Sequence, residues 1–143
     1  PAIAGLEVYH EIPLDRRPIP DRAKIRLGGE RVAPAELLAR FLVDARVPFK
    51  ATAGLHRAIR SAGGHGFLNV LVAAALADRG VEVVTAALEE DSPAAFRFDS
   101  TVVAWREHAL GEADIAAMRR RLISFGSCSF DEPVEDLRAL GLL

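Results

Sequence analysis

Hydrophobic and polar positions alternate in three short stretches of the chain. In Leu6-Glu7-Val8-Tyr9-His10-Glu11, Leu6, Val8 and His10 take one side and Glu7, Tyr9 and Glu11 the other. In residues 23–27, Ile25 and Leu27 oppose Lys24 and Arg26. In residues 49–55, Phe49, Ala51, Ala53 and Leu55 oppose Lys50, Thr52 and Gly54, and His56 continues the polar side. A period of two predicts a strand at each place. Between the first two lie Pro13, Pro18 and Pro20, which bar regular helix and central strand and predict a loop.

Other stretches repeat at helical spacing. Residues 34–46 carry an apolar stripe of Leu37, Leu38, Phe41, Leu42 and Ala45, with Glu36, Arg40 and Asp44 opposite. Pro34 sits at the first turn, where its missing N–H costs nothing. Residues 66–78 are apolar nearly all round, which predicts a helix buried on several sides and ended near Gly80. Residues 81–90 mix a strand-like Val-Glu-Val-Val-Thr with helical spacing of Val81, Val84 and Leu88; the helix is preferred. Residues 96–105 predict a hairpin turning at Asp99-Ser100. Residues 112–121 predict a helix with Ile115 and Met118 inward, residues 122–127 a last strand, and Pro133 onward a final helix stopped by Gly141.

Strands thus alternate with helices, so the expected class is α/β with mostly parallel β/α units and right-handed crossovers. The second faces of the strands are not apolar, as in a sheet covered on both sides. They carry Glu7, Glu11, Lys24, Arg26, Lys50 and Thr52. One face packs helices and the other lines something polar, as the mouth of a (β/α)8 barrel does. A chain of 143 residues is too short for that barrel, which needs about 250. The expectation is one domain, residues 1–143: half of a (β/α)8-type barrel or an open β/α sheet, with a small hairpin excursion. Such a half completes itself as a homo-oligomer or with a missing N-terminal half. The start at Pro-Ala-Ile-Ala, without Met, suggests the C-terminal part of a longer chain.

Composition narrows the function classes. Half of the residues are hydrophobic and the net charge is −2, so nothing draws the chain generically to nucleic acid or anionic membrane. No apolar window reaches the ~18 residues of a membrane span. A single cysteine, Cys128, excludes a disulfide framework and an all-cysteine metal site. The plain reading is cytoplasmic.

The ionisable residues gather around residues 47–76. Lys50, on a polar strand face, would lose solvation and become a Schiff-base nucleophile. It would equally serve as a substrate-binding cation, or pair with Glu7 or Glu11 and serve structure alone. Lys24, Arg26 and the Gly28-Gly29 pair would hold a carboxylate or phosphate through a guanidinium fork and close backbone N–H groups, unless the glycines are an ordinary turn. Glu11 and His56 are candidates for an acid/base pair. With His65 they would also suit a divalent metal, although no cofactor is required; otherwise the two histidines are polar or capping residues. Thr52, His65 and Ser127 are candidate substrate contacts. Asn69 would bind either substrate or a loop backbone. Cys128 is either a nucleophile, though no histidine is tied to it by sequence, or a small buried thiol, which is preferred; Trp105 and His108 read as packing and surface.

The motifs Phe-Lys-Ala-Thr-Ala-Gly-Leu-His (49–56), His-Gly-Phe-Leu-Asn (65–69) and Phe-Gly-Ser-Cys-Ser-Phe-Asp-Glu-Pro (125–133) resemble those of a family of uncharacterised bacterial proteins whose members are longer. The family brings no established activity. It implies a second histidine or a proline after His56, where this chain has Arg57-Ala58. More loosely, Lys50-Ala-Thr-Ala-Gly54 resembles the Lys-Ala-Ser-Gly-Gly strand of deoxyribose-phosphate-aldolase-type barrels, an analogy at the level of fold. The expected function is a lyase or aldolase-like (β/α) enzyme acting on a small anionic, carbonyl-containing metabolite. The alternatives are a non-catalytic module binding an anionic ligand or partner, and a metal-dependent enzyme.

Overall fold

The computed structural model describes residues 5–143; the opening Pro-Ala-Ile-Ala lies outside them. Four strands form one parallel sheet: β1 (His10–Glu11), β2 (Ala23–Arg26), β3 (Phe49–Thr52) and β7 (Leu122–Gly126), side by side in that order. The connections carry α1 (Ala35–Asp44) between β2 and β3. Between β3 and β7 they carry α2 (Phe67–Ala75), α3 (Val81–Glu89) and α4 (Glu112–Arg121). A small antiparallel sheet of β4 (Phe96–Phe98), β5 (Val103–Trp105) and β6 (His108–Leu110) interrupts the last crossover. The chain ends in α5 (Asp131–Ala139).

The class is therefore α/β. Among the described residues the parallel sheet is open, with β1 and β7 as its edges. Of the strand expected over residues 6–11, only His10 and Glu11 pair with β2. Leu6 and Val8 stay 66% and 42% exposed, because no element among the described residues covers that side of the edge. Strand β6 has no counterpart among the expected elements.

The two faces of the sheet differ as the alternation requires. Ala23, Ile25, Phe49 and Ala51 are buried under the helices. Phe41 of α1 meets Phe49 of β3 edge to face, with ring centroids 5.3 Å apart, and both rings are fully buried. Burial of this kind stabilises by about 2–3 kcal/mol for each ring. Helix α3 packs against α1 and α2, which explains why α2 shows no polar side: Leu68, Val70, Val72, Ala73 and Ala74 are all buried.

The other face is polar, and its residues line up across strands. Glu11, Lys24, Lys50 and Ser124 form one row, and Arg26, Thr52 and Gly126 the next. Ile123 is an extra residue in β7, since Leu122 opposes Phe49 while Ser124 opposes Lys50. This bulge brings Ser124 into the polar row and leaves Ile123 45% exposed.

Candidate functional site

The polar face leads to the C-terminal ends of the strands, where open parallel sheets keep their ligand crevices. Strand β3 stops after Thr52 because Ala53 (φ 62°) and Gly54 (φ 78°) turn into the left-handed region. A non-glycine residue there costs about 1–2 kcal/mol, and Ala53 bears that cost at the rim of the crevice. Gly54 meets Gly28 backbone to backbone: a β-carbon on Gly28 would stand 2.8 Å from the Gly54 Cα. The two segments leave β2 and β3 in contact, with no side chain between them.

Around this contact lies a basin of about 520 Å³ lined by Gly28, Gly29, Val32, Thr52, Ala53, Gly54, His56, Gly63, Gly126, Ser127 and Cys128. Four expected site residues thus share its wall with Thr52: Gly28, Gly29, His56 and Ser127. Thr52 donates its hydroxyl to the Ile25 carbonyl at 3.2 Å, so its methyl group turns towards Gly126, where a β-carbon would come within 3.0 Å. Arg26 reaches the same rim, its Nη2 3.5 Å from the place a β-carbon on Gly29 would take. Two clefts of about 610 Å³ lie elsewhere, one beside residues 6–10 and one between α3 and the β5–β6 turn; neither touches the strand ends.

The cations below the basin are partly engaged. Lys24 Nζ lies 2.6 Å from Glu11 Oε2. The hydrogen bond from Lys24, and then its charge, hold the Glu11 carboxyl below the usual range. Glu11 is thus a paired carboxylate, and the side-chain contacts of His56 among the described residues are with Glu132 and Cys128. Lys50 meets neither Glu7 nor Glu11 in an ion pair among the described residues; its Nζ stands 4.2 Å above the centre of the Tyr9 ring, a cation–π contact. It is one row below Thr52, about 6.5 Å down the strand.

Two expected contacts belong to the scaffold instead. His65 is 1% exposed, and its Nε2 lies 2.7 Å from the Ala33 carbonyl. A carbonyl only accepts, so Nε2 carries the proton and Nδ1 is left to accept from Arg60 Nη1 at 3.4 Å. Burial lowers the His65 pKa, with the Ala33 hydrogen bond opposing and the Arg60 charge assisting. Asn69 is fully buried. Its Oδ1 accepts from the Arg60 N–H at 2.8 Å, and its Nδ2 donates to the carbonyls of Ala87 and Glu90 at 2.9 and 2.7 Å. It clamps the loop before α2 to the end of α3, which is the loop-backbone role. Glu11, His56 and His65 do not form a metal cage, and no three His, Cys, Asp or Glu groups among the described residues do.

Sequence reasoning missed the partners of His56. Its Nδ1 lies 3.2 Å from Glu132 Oε2 in the first turn of α5. One turn later Asp136 accepts from the Ala58 N–H and from Arg57 Nη1, both at 3.0 Å. The i, i+4 pair Glu132/Asp136 was the available signal, since that spacing puts both carboxylates on one helix face. Cys128 is exposed, not buried, and its Sγ lies 3.5 Å from His56 Nδ1 and 3.7 Å from Nε2.

Comparison with family models, with curated proteins and with solved structures returned no match for the chain. The site therefore rests on its own geometry. Among the described residues, no helix is long and apolar enough to cross a membrane.

Proposed function

We propose that the strand ends bind a small anionic, carbonyl-containing metabolite and that the chain belongs to a (β/α)-type enzyme of lyase or aldolase-like chemistry. The observation that carries the reading is the Gly28–Gly54 contact, which opens a basin between a cationic strand and His56. Glycines with no β-carbon let an anion approach backbone N–H groups, and Arg26 offers a guanidinium fork to a carboxylate or phosphate. Lys50 faces the same polar side and supplies either an amine for a Schiff base or a positive charge for a developing oxyanion.

A non-catalytic anion-binding module is the second reading. It is favoured by the engagement of Lys24 with Glu11 and of Lys50 with Tyr9. Borohydride reduction in the presence of small oxo acids and aldehyde phosphates separates the two. The enzyme reading in its Schiff-base form expects a reduced adduct on Lys50, located by peptide mass and absent from Lys50→Met. Saturable binding of the same compounds with no adduct on any lysine and no turnover of any of them would leave the binding module.

A further inference from the structure

We infer that Cys128 is the nucleophile of a thiol–imidazole pair at the mouth of the basin, with His56 as its base and Glu132 as the residue that orients the imidazole. Three groups from three different parts of the chain meet here. His56 follows the end of β3, Cys128 follows the end of β7, and Glu132 opens α5. The thiol is exposed on the basin wall, where a bound molecule reaches it.

The hydrogen-bond inventory orders the three. A carboxylate only accepts, so the 3.2 Å contact makes His56 Nδ1 the donor to Glu132. Nε2 then keeps its lone pair, and it is the atom 3.7 Å from Cys128 Sγ that accepts the thiol proton. The arrangement repeats the logic of a nucleophile, a base and a third group that holds the base in one tautomer. Sγ is nearly equidistant from both ring nitrogens, so the exposed ring has to turn to bring the Nε2 lone pair onto it; such bonds commonly form only when substrate is bound.

For its substrate class the inference rests on the reading of the basin as a site for an anionic carbonyl compound. His56 Nε2 takes the proton from Cys128 Sγ. The thiolate adds to the carbonyl carbon: a C–S bond forms and the C=O π electrons pass to oxygen. That oxygen takes the proton back from His56, giving a hemithioacetal. No oxidant or reductant enters, and the anionic group of the substrate lies towards Arg26 and the Gly28–Gly29 backbone.

Alkylation of the native chain tests the pair, because Cys128 is the only cysteine and mass reads one site. Neutral iodoacetamide reports the thiolate, and anionic iodoacetate reports the thiolate and the anion site together. At neutral pH, His56→Asn is expected to slow iodoacetamide about tenfold or more, and Glu132→Gln to slow it about threefold. Circular dichroism checks that both variants are folded. Iodoacetamide rates within twofold of the parent in folded His56→Asn and in folded His56→Ala would overturn the pair. Arg26→Gln is expected to lower the iodoacetate-to-iodoacetamide rate ratio about threefold. An unchanged ratio beside a full His56 effect would support the pair and overturn the anion reading.

Discussion

Gly28 and Gly54 touch across the ends of β2 and β3 so closely that a β-carbon on either would stand within 2.9 Å of the other's Cα. Both contacting atoms are backbone, so no side chain can swing aside. Gly28→Ala is therefore expected to cost about 2 kcal/mol through forced separation of the two strand ends. Gly54 also adopts φ 78°, so Gly54→Ala adds a strained backbone to the same clash and is expected to cost more. Urea unfolding followed by circular dichroism checks the order, which a neutral Gly28→Ala would contradict.

His65 makes stability depend on pH in a defined direction. Its folded pKa lies below the ordinary 6.5 because burial disfavours the imidazolium. The unfolded chain then binds the proton more readily than the native one, so stability falls as pH drops through 6.5 and levels off only below the folded value. The native carboxylates with lowered pKa, such as Glu11 and Asp78, start from 4.5 and 3.8 and act at lower pH. Unfolding free energies measured between pH 6.5 and about 5 should show a decline that His65→Gln reduces. An equal decline in that variant would contradict the assignment.

Asn69 satisfies three backbone groups, the partly buried N–H of Arg60 and the buried carbonyls of Ala87 and Glu90. Asn69→Leu removes all three bonds and leaves the groups without water, so a loss of about 3 kcal/mol is expected. Since Asn69 is not among the residues that line the basin, surviving protein should bind small anions with little change in affinity. A large affinity loss with normal stability would return Asn69 to the site.

The contrast between α1 and the strand-end site shows what a sequence displays and what it hides. The stripe of Leu38, Phe41 and Leu42 repeats at helical period, and each of these residues is buried. The polar row of Lys24, Lys50 and their neighbours likewise followed from period two, because a strand's face is a local property. His108-Ala109-Leu110 was too short to register as a strand. The pairing of Cys128 with His56 spans 72 residues, and no local pattern encodes a meeting of two loop residues. His65 and Asn69 stay open for the opposite reason. A polar residue in an apolar segment suggests a site until its backbone partners are known, and those partners lie in the loops before α1 and α2 and at the end of α3.

The central claim is that an anion sits on the strand ends. Titration of ¹⁵N-labelled protein with pyruvate and, separately, with inorganic phosphate tests it directly by following the backbone amide resonances. The account predicts saturable shifts concentrated at Gly28, Gly29, Gly54 and Ser127, with the Arg26 side chain responding and the effect weakened in Arg26→Gln. Saturable shifts confined to other surfaces, or none at these four amides with either anion, would contradict it.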